Sequence, residues 1–215
     1  MGSMFALNHE LSLVFSTPLS LRTVKGAPAL NAGLERAIQD RRRLYGGNRI
    51  SNVGGWQSLP DLLDWPEPEV QTLRAEIDYI VQQIWSLPAA LERRPKESQQ
   101  PARYQAYGWA NVNESGDYNM MHMHPGNHLS VVYYVATGKP EPDHDMNGRL
   151  ELRDPRPAAT YCRMPGSVGS ESLLIRPQPG MMVVFPAWIE HWVHPFQGEG
   201  QRISIAVNVT FDANK

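Results

Sequence analysis

Three histidines in this chain are spaced as ligands of a single metal ion. His122 and His124 sit one residue apart in Met120-Met121-His122-Met123-His124-Pro125, and His191 closes the later run Phe185-Pro186-Ala187-Trp188-Ile189-Glu190-His191. On a β-strand, residues i and i+2 point to the same face, so His122 and His124 can grip one ion together. A distant strand of the same barrel then supplies His191. Three protein ligands on one side of an ion leave open positions where substrate and oxygen can meet, as at a non-haem iron centre.

The chain has seven histidines, and a lone histidine is usually a surface or hydrogen-bonded residue. The pair at i and i+2, followed by Pro125 and a Gly126-Asn127 turn, is harder to read that way. His191 is placed by the pattern Gly180-x5-Pro186-x4-His191. Gly180 makes a tight turn, a strand runs to Phe185, Pro186 ends its pairing, and the chain returns with the ligand. His194 is an odd three residues from His191, so both should not point inward. His128 falls in the turn, where it would support the site or touch substrate. The nearby carboxylates fit less well: Glu190 adjoins His191 and should point away, and Asp117 is out of phase with His122.

These ligands need a β framework, and the chain divides accordingly. From Tyr104 onward, short β-prone runs alternate with turn residues: Tyr104–Val112, Tyr118–His124, Leu129–Ala136, Arg149–Arg153, Ser172–Arg176, Met181–Phe185, His191–Val193 and Arg202–Phe211. Short strands at this spacing predict a closed or sandwiched antiparallel sheet. The connectors Gly138–Gly148 and Asp154–Glu171 are long and rich in turn residues, as lids and binding loops often are.

The part before residue 104 reads as helical. Asn31 is expected to cap a helix reaching about Tyr45, with Leu34, Ile38 and Leu44 inward. A second helix begins with Pro66 or Pro68 in its first turn and extends toward residue 90, since Val70, Leu73, Ile77, Ile80, Val81 and Ile84 recur every three or four residues. Between them lies a glycine-bearing loop, Ser51–Ser58. The polar stretch Glu92–Arg103 is a connector. The whole, 1–215, is expected to be a single domain, with helical elements over about 1–103 and a β core over about 104–211.

The last strand carries its own message. Arg202, Ser204, Ala206, Asn208 and Thr210 share one face, and Ile203, Ile205, Val207, Val209 and Phe211 share the other. The apolar row can pack under the helices while the polar row lines a pocket, where Arg202 offers a planar fork of donors to a carboxylate. Periodicity alone leaves open that the polar row faces water.

Bulk properties narrow the classes. At 215 residues the chain can bury a full core. With 41% hydrophobic residues it has no apolar run long enough for a membrane span. A net charge of −2 gives no reason to expect nucleic acid or an anionic membrane surface. One cysteine, Cys162, excludes an internal disulfide framework and fits a reducing cytoplasm. No basic region followed by an apolar core opens the chain, so no signal peptide is expected. Gly2-Ser3-Met4 has the look of a cloning remnant.

The pattern resembles the double-stranded β-helix (jelly-roll) oxygenases that use Fe(II) and 2-oxoglutarate. These carry a His-x-Asp, a distant His, and an Arg about ten residues after it on the last strand. Here His122 and His191 match the histidines, and Arg202-x-Ser204 matches a carboxylate-binding Arg-x-Ser, with Arg202 eleven residues after His191. More closely, the chain is similar to an uncharacterised 2-oxoglutarate–Fe(II) oxygenase group. That group's motifs correspond to His122–Pro125, Ser130–Tyr134, Gly148–Leu150 with Asp154–Arg156, Phe185–His191 and Arg202–Asn208. The resemblance covers roughly Trp109 to Phe211, with the Gly-Gly-Trp-Gln-Ser loop at 54–58 as a further element.

The resemblance implies a mainly β jelly roll with helices against one sheet. It implies Fe(II) on His122, His124 and His191, and 2-oxoglutarate as co-substrate. The far carboxylate of 2-oxoglutarate would meet Arg202, assisted by Ser204 and Tyr134, with Asn111 and Asn208 adding polar contacts. The reaction would be hydroxylation of a substrate C–H bond, with the Asp154–Glu171 and Trp56 loops closing over the substrate. Trp188 and Trp192 flank the third ligand, with at least one of them expected in the core. Expected partners are a small-molecule or peptide substrate, without nucleic acid or membrane; a homodimer stays open.

One position departs from the wider superfamily: His124 stands where a carboxylate is usual. An all-imidazole set brings no ligand charge and leaves the iron more electron-poor, although three-histidine Fe(II) dioxygenases exist. A cupin-type metalloenzyme is therefore an alternative, but it commonly adds a Glu four to six residues after the second His. Here those positions are His128, Leu129 and Ser130. A non-catalytic barrel binding a metal or small ligand is the other alternative.

Overall fold

A computed structural model of the chain describes residues 17–87, 100–142, 144–156 and 172–212. Eleven strands and two α-helices follow in the order β1 (Ser20–Thr23), α1 (Ala27–Leu44), β2 (Asn52–Val53), β3 (Trp56–Gln57), α2 (Pro68–Trp85), β4 (Tyr104–Asn113), β5 (Tyr118–His122), β6 (Leu129–Pro140), β7 (Leu150–Arg153), β8 (Ser172–Ile175), β9 (Met181–Pro186), β10 (His191–Val193) and β11 (Gly198–Phe211). They form a six-stranded sheet, β1-β9-β6-β11-β4-β3, and a five-stranded sheet, β2-β5-β10-β7-β8, with every strand pair antiparallel. This is the expected jelly roll, and the eight strands expected after residue 104 are all present.

The long strand β11 is the spine of the larger sheet. It pairs with β4 from Arg202↔Asn113 to Phe211↔Tyr104, and with β6 along its other edge. Its odd-numbered row is buried: Ile203, Ile205, Val207 and Val209 join Leu34, Ile38, Leu73, Ile77 and Val81 of the helices in one core, with Phe211 packed at its margin. In the even-numbered row Arg202, Ser204 and Asn208 are buried and Ala206 and Thr210 partly so, and Arg202, Ser204, Ala206 and Asn208 line a pocket. The solvent reading of that row is thereby set aside.

Helix α2 begins as its sequence suggests, with Pro68 in the first turn after Glu67. Helix α1 starts earlier than expected, after Gly26 in the left-handed region (φ 70°), with Pro28 in its first turn. Asn31 is therefore no cap. It is an interior helical residue, 8% exposed, and its Oδ1 accepts the Tyr133 hydroxyl proton at 2.6 Å. This bond ties α1 to β6 through the core, and a buried asparagine so placed satisfies a phenol that would otherwise be stranded.

The part before residue 104 is also less helical than expected. β1 extends the larger sheet beside β9, and β2 and β3 lie where a loop was read. Two-residue strands leave no period to detect. Gly54 and Gly55, both at positive φ, carry the chain from β2 in one sheet to β3 in the other. Trp56 is buried in the helix-side core, its Nε1–H donating to Tyr45 O at 2.8 Å, so it is not part of a lid. Of the expected loop Asp154–Glu171, residues 157–171 lie outside the described ones, as do Cys162 and residues 88–99. No helix among the described residues is long and apolar enough to cross a membrane.

Candidate metal centre

The three histidines expected to converge do so. The ring nitrogens they offer all lie within 4.8 Å of one another, and among the described residues theirs is the only such group of three or more potential ligands. His124 Nε2 and His191 Nε2 are 3.2 Å apart. Two nitrogens bound to one ion at about 2.0–2.1 Å would be separated by about 3.0–3.4 Å, so this spacing fits a shared metal.

The convergence is built in an unexpected way. His191 pairs with His122 and Val193 with Asn119, so β10 advances two residues while β5 advances three. The extra residue is a bulge at Met120-Met121. It turns both Asn119 and His122 toward the pocket and leaves Met120 and Met121 exposed. The strand ends at His122, so His124 is not on it. Its backbone N–H donates to Ala187 O at 2.9 Å, and its carbonyl accepts from Asn127 N. Pro125 keeps His124 extended, and Gly126 turns at φ 81°. The i, i+2 parity survives because the chain is pinned to the turn before β10.

Burial lowers the pKa of all three imidazoles. His124 falls to about 4 and His191 to about 3, with the proximity of His122 adding to the desolvation; His122 is lowered by desolvation, partly opposed by its bond to Met120 O. Neutral imidazoles are the form that binds metal. His122 Nδ1 lies 2.6 Å from Met120 O, and His191 Nδ1 lies 2.9 Å from Ile189 O. Each carbonyl takes the Nδ1 proton and leaves Nε2 with its lone pair, a common support of metal-binding histidines.

The opposite wall comes from the larger sheet. Arg202 is 1% exposed. Its Nε donates to Gly148 O at 3.2 Å and one terminal nitrogen to Ser204 Oγ at 3.5 Å, while Nη2 is buried with no partner. Tyr134, 0% exposed, presents its ring 5.2 Å from the guanidinium, and its hydroxyl, which makes no hydrogen bond of regular geometry, is near enough for the two groups to offset part of each other's shift. Burial raises the Tyr134 pKa and lowers that of Arg202. Asn111 and Ser204 stand opposite each other in register, and Asn111 Oδ1 is a further unpaired buried atom. Unsatisfied polar groups in such a place are costly, by about 1–3 kcal/mol each and more for a charge. A carboxylate would satisfy the guanidinium and the phenol.

The other sequence candidates are elsewhere. His194 is buried at 2.7 Å from Glu151 and stacked on Trp192. His128 Nδ1 accepts the Phe211 N–H. Asp117 Oδ2 accepts the Glu114 N–H, and Glu190 pairs with Arg153. Neither tryptophan beside His191 is core: Trp188 is half exposed and Trp192 is partly exposed. Asn208 lines the pocket, but its side chain lies against His124 and Tyr107.

Several residues in and beside the pocket went unread in the sequence. Trp109 lines it and the more exposed Tyr107 lies on the same face of β4 as Asn111; the Tyr107 ring stacks on Trp109, which meets His124 at a tilt. Period-two alternation along β4 carries that signal. Asn119 and Ser51 carried none, since a bulge and a loop place them.

Residues 107–208 match a family described as "Putative 2OG-Fe(II) oxygenase". No curated protein matches in sequence. Among solved structures, a Pseudomonas putida prolyl-4-hydroxylase is similar at TM-score 0.62 and 15% identity, covering 93% of this chain and 95% of that one. A Trichoplax adhaerens prolyl hydroxylase, in complex with a hypoxia-inducible-factor degradation-domain peptide, reaches TM-score 0.60 at 12% identity over 89% and 83%. HygX from Streptomyces hygroscopicus, with nickel and 2-oxoglutarate bound, reaches 0.57 at 12% over 90% and 82%. At these identities the likeness to the structures is one of fold.

Proposed function

We propose that this chain, a member of the 2-oxoglutarate–Fe(II) oxygenase family through residues 107–208, holds Fe(II) on His122, His124 and His191 and seats 2-oxoglutarate against Arg202. Fe(II) and 2-oxoglutarate are the metal and co-substrate of that family, and its chemistry is oxygen-dependent oxidation. The observation that carries the residue assignment is the buried, partly unpaired guanidinium of Arg202 in the same pocket as three converging imidazoles.

Bound Fe(II) would supply the oxygen chemistry, with 2-oxoglutarate oxidised to succinate and CO2 as one oxygen atom goes to it and the other to a substrate C–H bond. The protein's own part is positioning. The three neutral imidazoles occupy one side of the metal. Arg202 and the Tyr134 hydroxyl take the far carboxylate, with Ser204 and Asn111 at its flank. The paired sheets keep bulk water from the reacting centre. Trp109, Tyr107 and Asn119 form the wall that a substrate meets. The solved relatives act on peptides or small molecules, and we assign this chain an organic substrate of one of those two classes. Its single cysteine fits a cytoplasmic setting.

The cupin alternative asks for no buried cation beside the metal. Among the described residues no carboxylate pairs with Arg202, so the guanidinium is available for an incoming anion. The decisive experiment follows succinate formation from 2-oxoglutarate by purified protein with Fe(II) and oxygen. Succinate is expected, together with a visible absorption band when 2-oxoglutarate is added anaerobically to the Fe(II) protein. Iron binding without either signal would return the assignment to the cupin reading.

A further inference from the structure

The pocket face of the larger sheet carries two polar rows, each crossing three strands in register. One is Asn111–Ser204–Tyr134, beside Arg202. The other is Tyr107–Asn208–Ser130. The first serves the co-substrate in the reading above. The second ends on a metal ligand: the Asn208 amide lies 3.4 Å from His124 Nδ1. Asn208 and Ser130 are each 3% exposed. The amide is 2.9 Å from Tyr107 Oη on one side and 3.4 Å from Ser130 Oγ on the other. Asn127 lies 3.3 Å from the Tyr107 hydroxyl, and Thr210 Oγ1 donates to Asn127 Oδ1 at 3.0 Å.

His124 differs from its two companions. His122 and His191 each have a backbone carbonyl two residues away at Nδ1. For His124, the hydrogen-bonding group at Nδ1 among the described residues is the Asn208 side chain. We propose that Asn208, braced by Tyr107 and Ser130, is the positioning residue that fixes the ring plane and tautomer of His124, and so makes the third imidazole a ligand. The inference rests on the reading of His124 as a ligand.

The chemistry is that of a carboxamide, which has N–H on one side and oxygen on the other. For His124 Nε2 to give a lone pair to a metal, Nδ1 must hold the proton and the amide must turn its oxygen to it. That orientation strands no partner. Tyr107 can then donate its hydroxyl proton to the same oxygen, and Ser130 can accept from the NH2 group; a hydroxyl does either. With the NH2 end toward the ring, Nδ1 accepts, and the Nε2 proton points at His191 Nε2, 3.2 Å away. Once the lone pair of His124 Nε2 is given to a metal, only the first arrangement keeps a hydrogen bond at Nδ1, and the hydroxyls of Tyr107 and Ser130 can brace it.

The test is Co(II) titration by calorimetry and visible absorption, on wild type and four variants whose folding is checked by thermal melting. Asn208→Leu should weaken Co(II) binding by about 10–100-fold, the usual cost of losing the support of a metal-binding histidine. Asn208→Asp should retain binding and shift the Co(II) bands, because a carboxylate accepts the Nδ1 proton and lends charge through the ring. Tyr107→Phe, nearer the surface, should cost several-fold, and it decides the matter if Asn208→Leu fails to fold. Wild-type affinity in Asn208→Leu alongside a loss in His124→Ala would overturn the role and leave the ligand reading standing. Equal weakening in the Leu and Asp variants would reduce Asn208 to packing and overturn it too. Wild-type affinity in His124→Ala would remove the ligand reading and this inference with it.

Discussion

The six-stranded sheet is packed on both faces. Two helices cover its outer face through a core that runs from Leu34 and Leu73 to Ile205 and Val209, and its inner face meets the pocket. The five-stranded sheet is built from strands of two to five residues, shares a smaller core with β6 and β9 of the larger sheet, where Leu152 and Phe185 lie, and leaves Met120, Met121, Leu173 and Leu174 exposed. Arg202, Ser204 and Tyr134 stand on the first sheet, while His122 and His191 stand on the second. In the function proposed above, the larger sheet would take the co-substrate on a buried cation, and the smaller one would hold the metal on imidazoles aimed by short ties to backbone carbonyls.

This contrast makes the largest expected effect lie at Arg202. Arg202→Ala should weaken 2-oxoglutarate by about 30-fold or more, since truncating one partner of a buried charge pair costs about 2–5 kcal/mol. Fe(II) affinity should stay within a few-fold of wild type, measured by titration without co-substrate. Equal losses of metal and 2-oxoglutarate would erase the division between the sheets. Next comes Ile205→Ala, which should lower stability by about 2–5 kcal/mol in denaturant melts. The Fe(II)–2-oxoglutarate absorption of the folded fraction should be unchanged, because Ile205 faces the helices.

A pH series tests the smaller sheet. His124 and His191 have folded-state pKa values of about 4 and 3, below their ordinary 6.5. The unfolded chain thus binds more protons between those values. The stability these groups contribute is complete above about pH 6.5 and is lost as pH falls, at up to about 1.4 kcal/mol per pH unit for each histidine. His124→Ala and His191→Ala should flatten the melting-temperature profile below pH 6.5. The smallest effect belongs to the outer rim. Arg153 and Glu190, both largely exposed at 3.3 Å, should lose no more than about 1 kcal/mol on Glu190→Gln.

Much of this was readable from residues. The eight strands after residue 104 announce themselves by β-prone runs between turns, and β11 shows two opposed rows because it is long enough for parity to be seen. Arg202 follows from that parity, His122 and His124 from their own i, i+2 spacing, and His191 from the Gly180-x5-Pro186-x4 pattern before it. Asn31 was misread because a polar residue before an apolar period looks like a cap, while its true partner, Tyr133, is 102 residues away in sequence. β1, β2 and β3 owe their existence to edges supplied by later strands. Trp56 looked like part of a lid because local sequence does not reveal that its indole reaches Tyr45. Asn208 is tied to the co-substrate by the resemblance, and what local sequence does not show is that its amide lies 3.4 Å from His124 Nδ1 and 2.9 Å from Tyr107 Oη.

The bulge at Met120-Met121 ties this centre to chain length in a way that side-chain chemistry does not describe. Asn119 and His122 are three residues apart, a spacing that puts side chains on opposite faces of a regular strand, and they face inward together because one residue is surplus on β5. Straightening the strand without removing a residue would turn His122 outward when Asn119 stays inside. The ligand set would be intact as text and broken in space. A lineage could silence the metal centre by substitutions that flatten this stretch, with every ligand retained, and could regain it by losing the codon for Met121, because a spacing of two returns both side chains to one face. Whether a homologue keeps the bulge is therefore as informative about its competence as checking that its histidines are present.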